Sequence, residues 1–432
     1  MVAPARRVSW QVLSQIETRA AFSDYVLNSA LTGELEPRDC RLVTEIAYGT
    51  LRWQSLLDFV LRGVVSGQWK HIDPLVKTLL RMSLYQMWLM QRIPDHALVH
   101  DAVELAKDCT RGGADKLVNA VLRRLSNDRP WLREDFERRC PAWDRVSLPR
   151  WLWQRWARRY GQEITREYAL SLNNPPRAAY RLQTPPGRRL AQDGPEPFEA
   201  SDLVPGAIFV PKGREAEPCE NTRAQDEASQ LIPHLLGSIE GKLVWDVCAA
   251  PGGKSSILVE LAGSAGRVIA TDLHYTRARR LKRSLEISCN GGYDVLVLDA
   301  SREVPFRLPF DVVVVDAPCS GLGTLRRNPE IKWRVGPQNL KSLHEAQSRI
   351  LEAAARSVRV GGLLLYSTCS TEPEENEAVV ASFLASHASY VLVRPVSPPG
   401  IDSWTGPDNM VRTFPSTRLW DGFFAALLQR KN

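Results

Sequence analysis

Apolar and polar residues alternate with a helical period through the first part of the chain. From Arg6 to about Leu125, apolar side chains recur every three or four residues, as in helices that bury one face. Short breaks rich in Gly and Pro interrupt this pattern at residues 33–37, 66–74 and 111–113. The pattern predicts an all-α domain of six or seven helices over residues 1–130.

A different pattern begins near Thr222, where short apolar runs alternate with helical segments. Such alternation is typical of a doubly wound, mostly parallel sheet. It predicts an α/β, Rossmann-like domain over residues 222–432. The predicted strands are residues 243–248, 267–273, 294–300, 312–316 and 361–370.

Two further regions lie between these domains. Residues 131–172 predict a helical connector rich in Arg and Trp, with tryptophans at 131, 143, 151, 153 and 156. This composition suits phosphate contact and base stacking, but packing tryptophans with solvated arginines explain it equally well. Strand-like runs at 173–184 and 202–213 then predict a small α+β lobe over residues 173–221.

Composition narrows the class of protein. The formal charge of +7 weakly favours a polyanionic partner. The chain has neither an 18-residue apolar run nor an apolar signal region at its start, so we expect a cytoplasmic protein without membrane contact. The eight cysteines show no C-x-x-C pair or zinc-like spacing, which predicts no metal site. A monomer is expected.

Two kinds of nucleotide site compete at the turn after the first predicted strand. A phosphate-binding loop is nearly matched by residues 248–255, but Cys248 stands where that loop needs its first glycine. An adenosyl-cofactor site needs a glycine turn and acids at the ends of the next two strands. Gly252, Gly253, Asp272 and Asp299 meet those needs, since carboxylates accept hydrogen bonds from ribose hydroxyls.

Two thiols follow neighbouring predicted strands. Cys319 follows the strand that ends at Asp316, and Cys369 ends the next one, so both are expected at one edge of the sheet. Carbon 5 of cytosine is a poor nucleophile, and thiolate addition at carbon 6 activates it towards methylation. A donor at ring N3 and a base for the carbon 5 proton complete this chemistry. Spacing alone leaves the two cysteines interchangeable.

Several strings resemble known families. RDCRLVTEIAYGTLRW (38–53) and KLVNAVLRRL (116–125) resemble the NusB-like RNA-binding domain. DVCAAPGGKS (246–255), DAPCSGLGTLRRNPEIKW (316–333) and YSTCSTEPEENE (366–377) resemble the motifs of the RNA 5-methylcytosine methyltransferases that use S-adenosyl-L-methionine. A NusB-like domain before this catalytic domain is the arrangement of bacterial enzymes that methylate 16S ribosomal RNA.

The resemblance implies a role for each site residue. Cys369 would be the nucleophile, Cys319 would assist product release, and Asp316 would hold or protonate cytosine at N3, with Pro318 shaping the turn. The implied cofactor-binding residues are Cys248, Ala249, Ala250, Pro251, Gly252, Gly253, Lys254, Asp272, Asp299 and Asp316.

Alternatives remain for the substrate and for the activity. Another ribosomal RNA site or a transfer RNA would satisfy the same chemistry, and a non-catalytic RNA-binding, antitermination-like factor would keep the same fold. Arg326, Arg327 and Lys332 are interpreted as RNA-facing or solvated loop charges.

Overall fold

The computed structural model describes residues 2–19, 21–32, 35–65, 67, 69–90, 93–109, 113–183, 198–211, 222–302, 304–416 and 420–431. The chain divides into two compact units. The first comprises residues 1–175 and 325–335, and the second comprises residues 176–324 and 336–432. Parts of the predicted strand-like runs, residue 184 of the first and residues 212–213 of the second, lie outside the described ranges.

The first unit is all-α, which confirms the predicted helical domain. Its core consists of apolar residues at helical spacing, such as Val43, Ile46 and Ala47 on one helix face. Phe136 closes one side of this core, where its ring packs edge-on against Phe59. The helices are α1 (Pro4–Arg19), α2 (Ser23–Leu31), α3 (Pro37–Arg52), α4 (Gln54–Val64), α5 (Pro74–Tyr85), α6 (Asp95–Cys109), α7 (Ala114–Asp128), α8 (Phe136–Arg139), α9 (Ala142–Arg145), α10 (Arg150–Tyr160) and α11 (Gln162–Ser171).

Tryptophans of the connector pack inside this unit. Trp153 and Trp156 on α10 are buried, and the Trp156 ring lies 5.1 Å from that of Tyr168 on α11. The Trp131 ring stacks on Trp88 with a centroid distance of 5.2 Å. Of the two interpretations of the Arg- and Trp-rich composition, these contacts favour packing for the tryptophans.

The second unit begins with a small antiparallel sheet, as the strand-like runs predicted. Its strands are β1 (Ala179–Leu182), β2 (Glu199–Ala200), β3 (Ala207–Phe209) and β4 (Thr222–Ala224), in the order β2-β3-β1-β4. Arg181 anchors this sheet to the larger domain, because its guanidinium donates to Ser256 Oγ at 2.6 Å and pairs with Glu260. Helix α12 (Glu227–His234) follows the small sheet.

An eight-stranded mixed sheet forms the rest of this unit and confirms the predicted α/β class. Its order is β10-β12-β9-β8-β5-β6-β7, with β11 paired to β12. The pairs among β5 to β9 are parallel, whereas β12 runs antiparallel to β9 and β10. The strands are β5 (Leu243–Asp246), β6 (Arg267–Asp272), β7 (Tyr293–Val297), β8 (Phe310–Asp316), β9 (Val358–Thr368), β10 (Tyr390–Val393), β11 (Val411–Arg412) and β12 (Phe424–Arg430).

The central strand β8 explains why four consecutive valines occur in the sequence. Val312 to Val315 are each at most 2% exposed, because both faces of the sheet are covered. The remaining helices are α13 (Gly253–Ala262), α14 (Tyr275–Ser288), α15 (Ile331–Arg334), α16 (Pro337–Ala355) and α17 (Glu377–Ser386).

Residues 325–335, which include α15, pack in the first unit although they follow the Cys319 loop in the chain. Arg326 and Lys332 are each 1% exposed. The interpretation of these two residues as RNA-facing or solvated charges is therefore wrong. Arg327 is half-buried.

Backbone and side-chain acceptors explain how these two cations are buried. Lys332 Nζ donates to the carbonyls of Arg52 and Ser147 at 3.2 and 3.1 Å, and to Asn173 Oδ1 at 2.7 Å. The Arg326 guanidinium donates to Ser171 O at 3.2 Å and to Ser171 Oγ at 3.1 Å. Burial, and then the charge of Arg52, lower the pKa of Lys332 to about 7. A buried basic group needs acceptors whether it is charged or neutral, and these come from residues remote in the chain.

Candidate active site

Four parallel strands bring acidic or polar residues to one edge of the large sheet. Asp246 ends β5, Asp272 ends β6, Asp316 ends β8, and Thr368 ends β9. Because the strands are parallel, their carboxyl ends meet along the same edge, which is where open α/β sheets bind ligands.

The two predicted thiols lie together at this edge. The Sγ atoms of Cys319 and Cys369 are 3.2 Å apart. A backbone hydrogen bond of 2.9 Å from Gly323 N to Cys369 O links their loops. The hydrogen bond with Cys369, together with burial, raises the pKa of the Cys319 thiol well above its usual value, so Cys319 holds its proton at neutral pH.

Asp316 is fixed beside the thiols by two donors. Its Oδ2 accepts from Lys254 Nζ at 2.8 Å, and its Oδ1 accepts from Ser367 Oγ at 2.9 Å. Burial alone would lower the pKa of Lys254, but the nearby Asp316 carboxylate and then Cys369 raise it, and the net shift is upward. The lysine is therefore a positive charge that pairs with Asp316 and also interacts with Cys369.

The glycine turn after β5 opens into a small cleft. Gly252 adopts a positive φ of 99°, and a Cβ there would meet Leu281 Cδ1 at 2.9 Å, so the turn needs glycine. The cleft has a volume of about 150 Å³. Seven predicted residues line it, namely Cys248, Ala249, Ala250, Pro251, Gly253, Lys254 and Asp316.

Sequence reasoning missed several residues of this cleft. Arg223, Gln225, Ser229 and Asp246 also line it. Asp246 ends the first predicted strand, so the rule that selected Asp272 and Asp299 could have found it. Arg223 and Gln225 precede β5 in the chain and follow no strand of the large sheet, so that rule could not find them.

Asp246 is the most deeply buried acid of the cleft, at 1% exposure. Its Oδ2 accepts from Ser255 Oγ at 2.7 Å, whereas its Oδ1 has no hydrogen-bond partner among the described residues. Burial, and to a smaller degree the charge of Asp316, raise the pKa of Asp246 to about 7.

Asp272 and Asp299 are not among the residues that line this cleft. Asp272 is 3% exposed, and its carboxylate accepts from the backbone N–H of His274 at 3.0 Å and lies 3.3 Å from Arg277. Asp299 accepts from Ser301 Oγ at 2.6 Å, and the hydrogen bonds with Ser301 lower its pKa. Both acids thus bind their own loops in this structure, and their contact with a cofactor stays a prediction.

Within the described ranges, no helix is both long and apolar enough to cross a membrane. The same part of the chain contains no cluster of three or more His, Cys, Asp or Glu residues suited to a metal ion.

Three features define the class of this protein as the Rossmann-like methyltransferases. They are the mixed sheet, the glycine turn after its first parallel strand, and the acids at successive strand ends. Comparison with known proteins narrows the class. Residues 233–429 match the family model described as 16S rRNA methyltransferase RsmB/F, and residues 3–127 match the NusB family.

Full-length relatives agree with this match. A Bacillus subtilis protein called "Probable ribosomal RNA small subunit methyltransferase B" is 32% identical over 99% of this chain and 98% of its own. The ribosomal RNA small subunit methyltransferase B of Pseudomonas putida is 32% identical over 83% of this chain and 85% of its own. The chain therefore belongs to the 16S rRNA methyltransferase RsmB/F family, which confirms the resemblance seen in its motifs.

A solved structure also matches the chain along its whole length. The crystal structure of PH0851 superposes with a TM-score of 0.81 at 27% identity, and the alignment covers 100% of each chain. The likeness therefore includes the helical first unit as well as the mixed sheet.

Proposed function

We propose that this protein transfers a methyl group from S-adenosyl-L-methionine to carbon 5 of one cytosine in 16S ribosomal RNA. Family membership and the names of the relatives support methylation of ribosomal RNA. The observation that carries the finer proposal is the 3.2 Å separation of the Cys319 and Cys369 sulfurs beside Asp316. Paired thiols next to an acid suit covalent activation of a pyrimidine ring.

The cleft residues fit the proposed cofactor. Gly253 begins α13, so the helix N-terminus and the glycine turn offer backbone N–H groups close to a ligand. The unpaired Oδ1 of buried Asp246 is an acceptor suited to an ammonium group. When bound, S-adenosyl-L-methionine would supply an electrophilic methyl group. Residues 248–254, Asp246 and Asp316 would hold it, and Asp272 and Asp299 would bind its nucleoside after exchanging their loop contacts.

The motif resemblance implies that Cys369 is the attacking thiol, and the position of Lys254 is consistent with that choice. Cys369 is the thiol that interacts with the positive charge of Lys254, whereas Cys319 holds its proton. The Cys369 sulfur would bond to carbon 6 of cytosine while Asp316, shared with Lys254, stabilises the proton at ring N3. Carbon 5 then gains the methyl group.

Product release needs one more proton transfer. The proton on carbon 5 must leave so that its electron pair forms the carbon 5–carbon 6 double bond and expels the Cys369 sulfur. We propose that Cys319 accepts this proton as a thiolate. Once the Cys369 sulfur is bonded to carbon 6, the hydrogen bond with Cys369 that raises the Cys319 pKa is lost, so Cys319 can release its own proton to solvent and then take the proton of carbon 5. We also propose that the NusB-like region binds RNA, and that the protein acts in the cytoplasm as a monomer.

The substrate can be tested directly. Purified protein would be incubated with S-adenosyl-L-methionine and 16S ribosomal RNA, the small ribosomal subunit, 23S ribosomal RNA or transfer RNA, followed by bisulfite sequencing. We expect one protected cytosine in 16S ribosomal RNA. Modification confined to another RNA would overturn the assignment of the substrate. Absence of calorimetric binding of S-adenosyl-L-methionine would favour a non-catalytic RNA-binding protein.

A further inference from the structure

The residues that follow the two thiols share one buried acid. Glu375 is 0% exposed and accepts from Ser320 N at 2.7 Å and Ser320 Oγ at 2.5 Å. Its Oε2 also accepts from Ser370 Oγ. Ser320 follows Cys319 directly, and Ser370 follows Cys369 directly. One carboxylate therefore connects both thiol loops.

Gln347 extends this contact to the other side of Cys319. Its Nε2 donates to Pro318 O and to Glu375 Oε1, both at 3.0 Å. Pro318 and Ser320 flank Cys319, so the backbone on either side of the thiol is held by the same pair. Because Gln347 lies on the long helix α16, the loop is attached to a rigid element.

The turn that carries Glu375 is itself attached to the loop of Cys369. Asn376 accepts from Thr368 Oγ1 at 2.5 Å, and its Nδ2 donates to Ser370 O at 2.9 Å. Thr368 and Ser370 flank Cys369. Tyr366 Oη donates to the carbonyl of Glu375 at 2.6 Å and links the turn to β9.

These contacts begin where the sheet no longer determines the spacing of the loops. The pairing of β8 with β9 ends at Asp316 and Ser367, before either cysteine. Beyond that point the Glu375 carboxylate and the Gly323 backbone bond link the two loops. The groups that donate to the Glu375 side chain are neutral, and a buried polar group costs free energy unless such hydrogen bonds compensate it.

We infer that Glu375 is a positioning residue that holds the Cys319 and Cys369 thiols at the spacing the reaction needs. The inference rests on the proposed function for its catalytic meaning, but the spacing itself can be measured without methyl transfer. A carboxylate suits this role because its two oxygens accept several donors at once, as an aliphatic side chain could not.

The test compares Glu375→Gln and Ser370→Ala with the control Glu377→Gln. Gln keeps the shape of Glu375 but places an amide donor among donors. Ser370→Ala removes the hydroxyl that donates to Glu375 from the Cys369 loop. Glu377 lies two residues further along the same string, is also partly buried and pairs with Arg412 at 2.8 Å. Circular dichroism and S-adenosyl-L-methionine binding would verify that each variant is folded.

The first measurement is the effective concentration of the two thiols. In glutathione buffers, Cys319 and Cys369 would be oxidised to a disulfide. Glutathione disulfide would accept the two electrons and two protons and become two glutathione molecules. Mass spectrometry of the crosslinked peptide gives the equilibrium. We expect Glu375→Gln to lower the effective concentration by about ten-fold or more, since thiols held less firmly meet less often.

The second measurement is kinetic. We expect Glu375→Gln to lower kcat by roughly 10- to 100-fold with little change in the KM for S-adenosyl-L-methionine, because misplacement of reacting groups affects the chemical step. Ser370→Ala should show a smaller change in the same direction. If both Glu375→Gln measurements matched Glu377→Gln, the inference would be overturned. Failure of wild-type methyl transfer would overturn the proposed function, and the disulfide equilibrium would still decide the inference.

Discussion

The Sγ atoms of Cys319 and Cys369 lie 3.2 Å apart, although the residues are 50 positions apart in the chain. Two adjacent parallel strands produce this contact, because each cysteine closely follows the carboxyl end of its strand. The contact brings together one thiol that holds its proton and one thiol near a lysine. Such a pair can divide attack and release between two groups.

The division of roles predicts opposite behaviour for two variants. Cys369→Ala should reduce methyl transfer to background because the nucleophile is lost. Cys319→Ala should instead accumulate a covalent protein–RNA adduct, visible as a slow band on a denaturing gel. Cys40→Ala, a partly buried thiol on α3, serves as the control and should retain activity. An adduct with Cys369→Ala and none with Cys319→Ala would reverse the roles.

The close approach of the two thiol loops predicts a cost for Gly323→Ala. A Cβ at this position would lie 1.8 Å from Gly422 O and 2.9 Å from Cys369 O, so both loops must move. We expect a loss of about 1–3 kcal/mol in unfolding free energy and a lower kcat, measured by urea unfolding and methylation assays. Gly63→Ala in helix α4 has open space around its Cβ and should be neutral or stabilising. Full activity of Gly323→Ala would contradict the observed packing.

The raised pKa of Asp246 predicts a pH dependence of stability. Its folded pKa is about 7 and its ordinary value is 3.8, so between these values the folded state holds a proton that the unfolded state has lost. Unfolding free energy should therefore fall as pH rises from about 4 to 7, by on the order of 1 kcal/mol per pH unit from this group.

Asp246→Asn, which mimics the protonated acid, should remove that dependence. Urea unfolding of the wild type and the variant at pH 5, 6 and 7 would test it, with the exposed Asp402→Asn as a control. Parallel wild-type and Asp246→Asn profiles would show that Asp246 ionises normally in the folded protein.

Burial of Lys332 predicts a stability defect in place of an RNA-binding defect. Lys332→Met would leave the carbonyls of Arg52 and Ser147 and the amide oxygen of Asn173 without their shared donor. We expect a loss of about 2–4 kcal/mol in unfolding free energy with RNA affinity of the folded fraction unchanged. Lys341→Met, at an exposed position on α16, is the matched control. A selective loss of RNA affinity without destabilisation would restore the RNA-facing interpretation.

Much of the catalytic unit could be predicted because its signals are local. Apolar runs such as Val312 to Val315 report burial on both faces of a sheet, and the turn at Gly252 needs a residue that tolerates positive φ. The ends of parallel strands share one edge, so the order of strands along the chain also predicted that Cys319 and Cys369 could meet. The resemblance to family motifs then implied separate roles for the two thiols, which spacing alone left interchangeable.

Only the tertiary structure decided which charges are buried and which groups hold the thiols. The sequence predicted that Arg326 and Lys332 are surface charges. Their hydrogen-bond partners lie between residues 52 and 173 and approach the two side chains only when the chain folds. Glu375 likewise stands in an acidic string, and its contact with Ser320 spans 55 positions. Local sequence patterns predict the secondary structure and the burial of a segment. Hydrogen bonds between distant segments depend on how the chain folds back on itself.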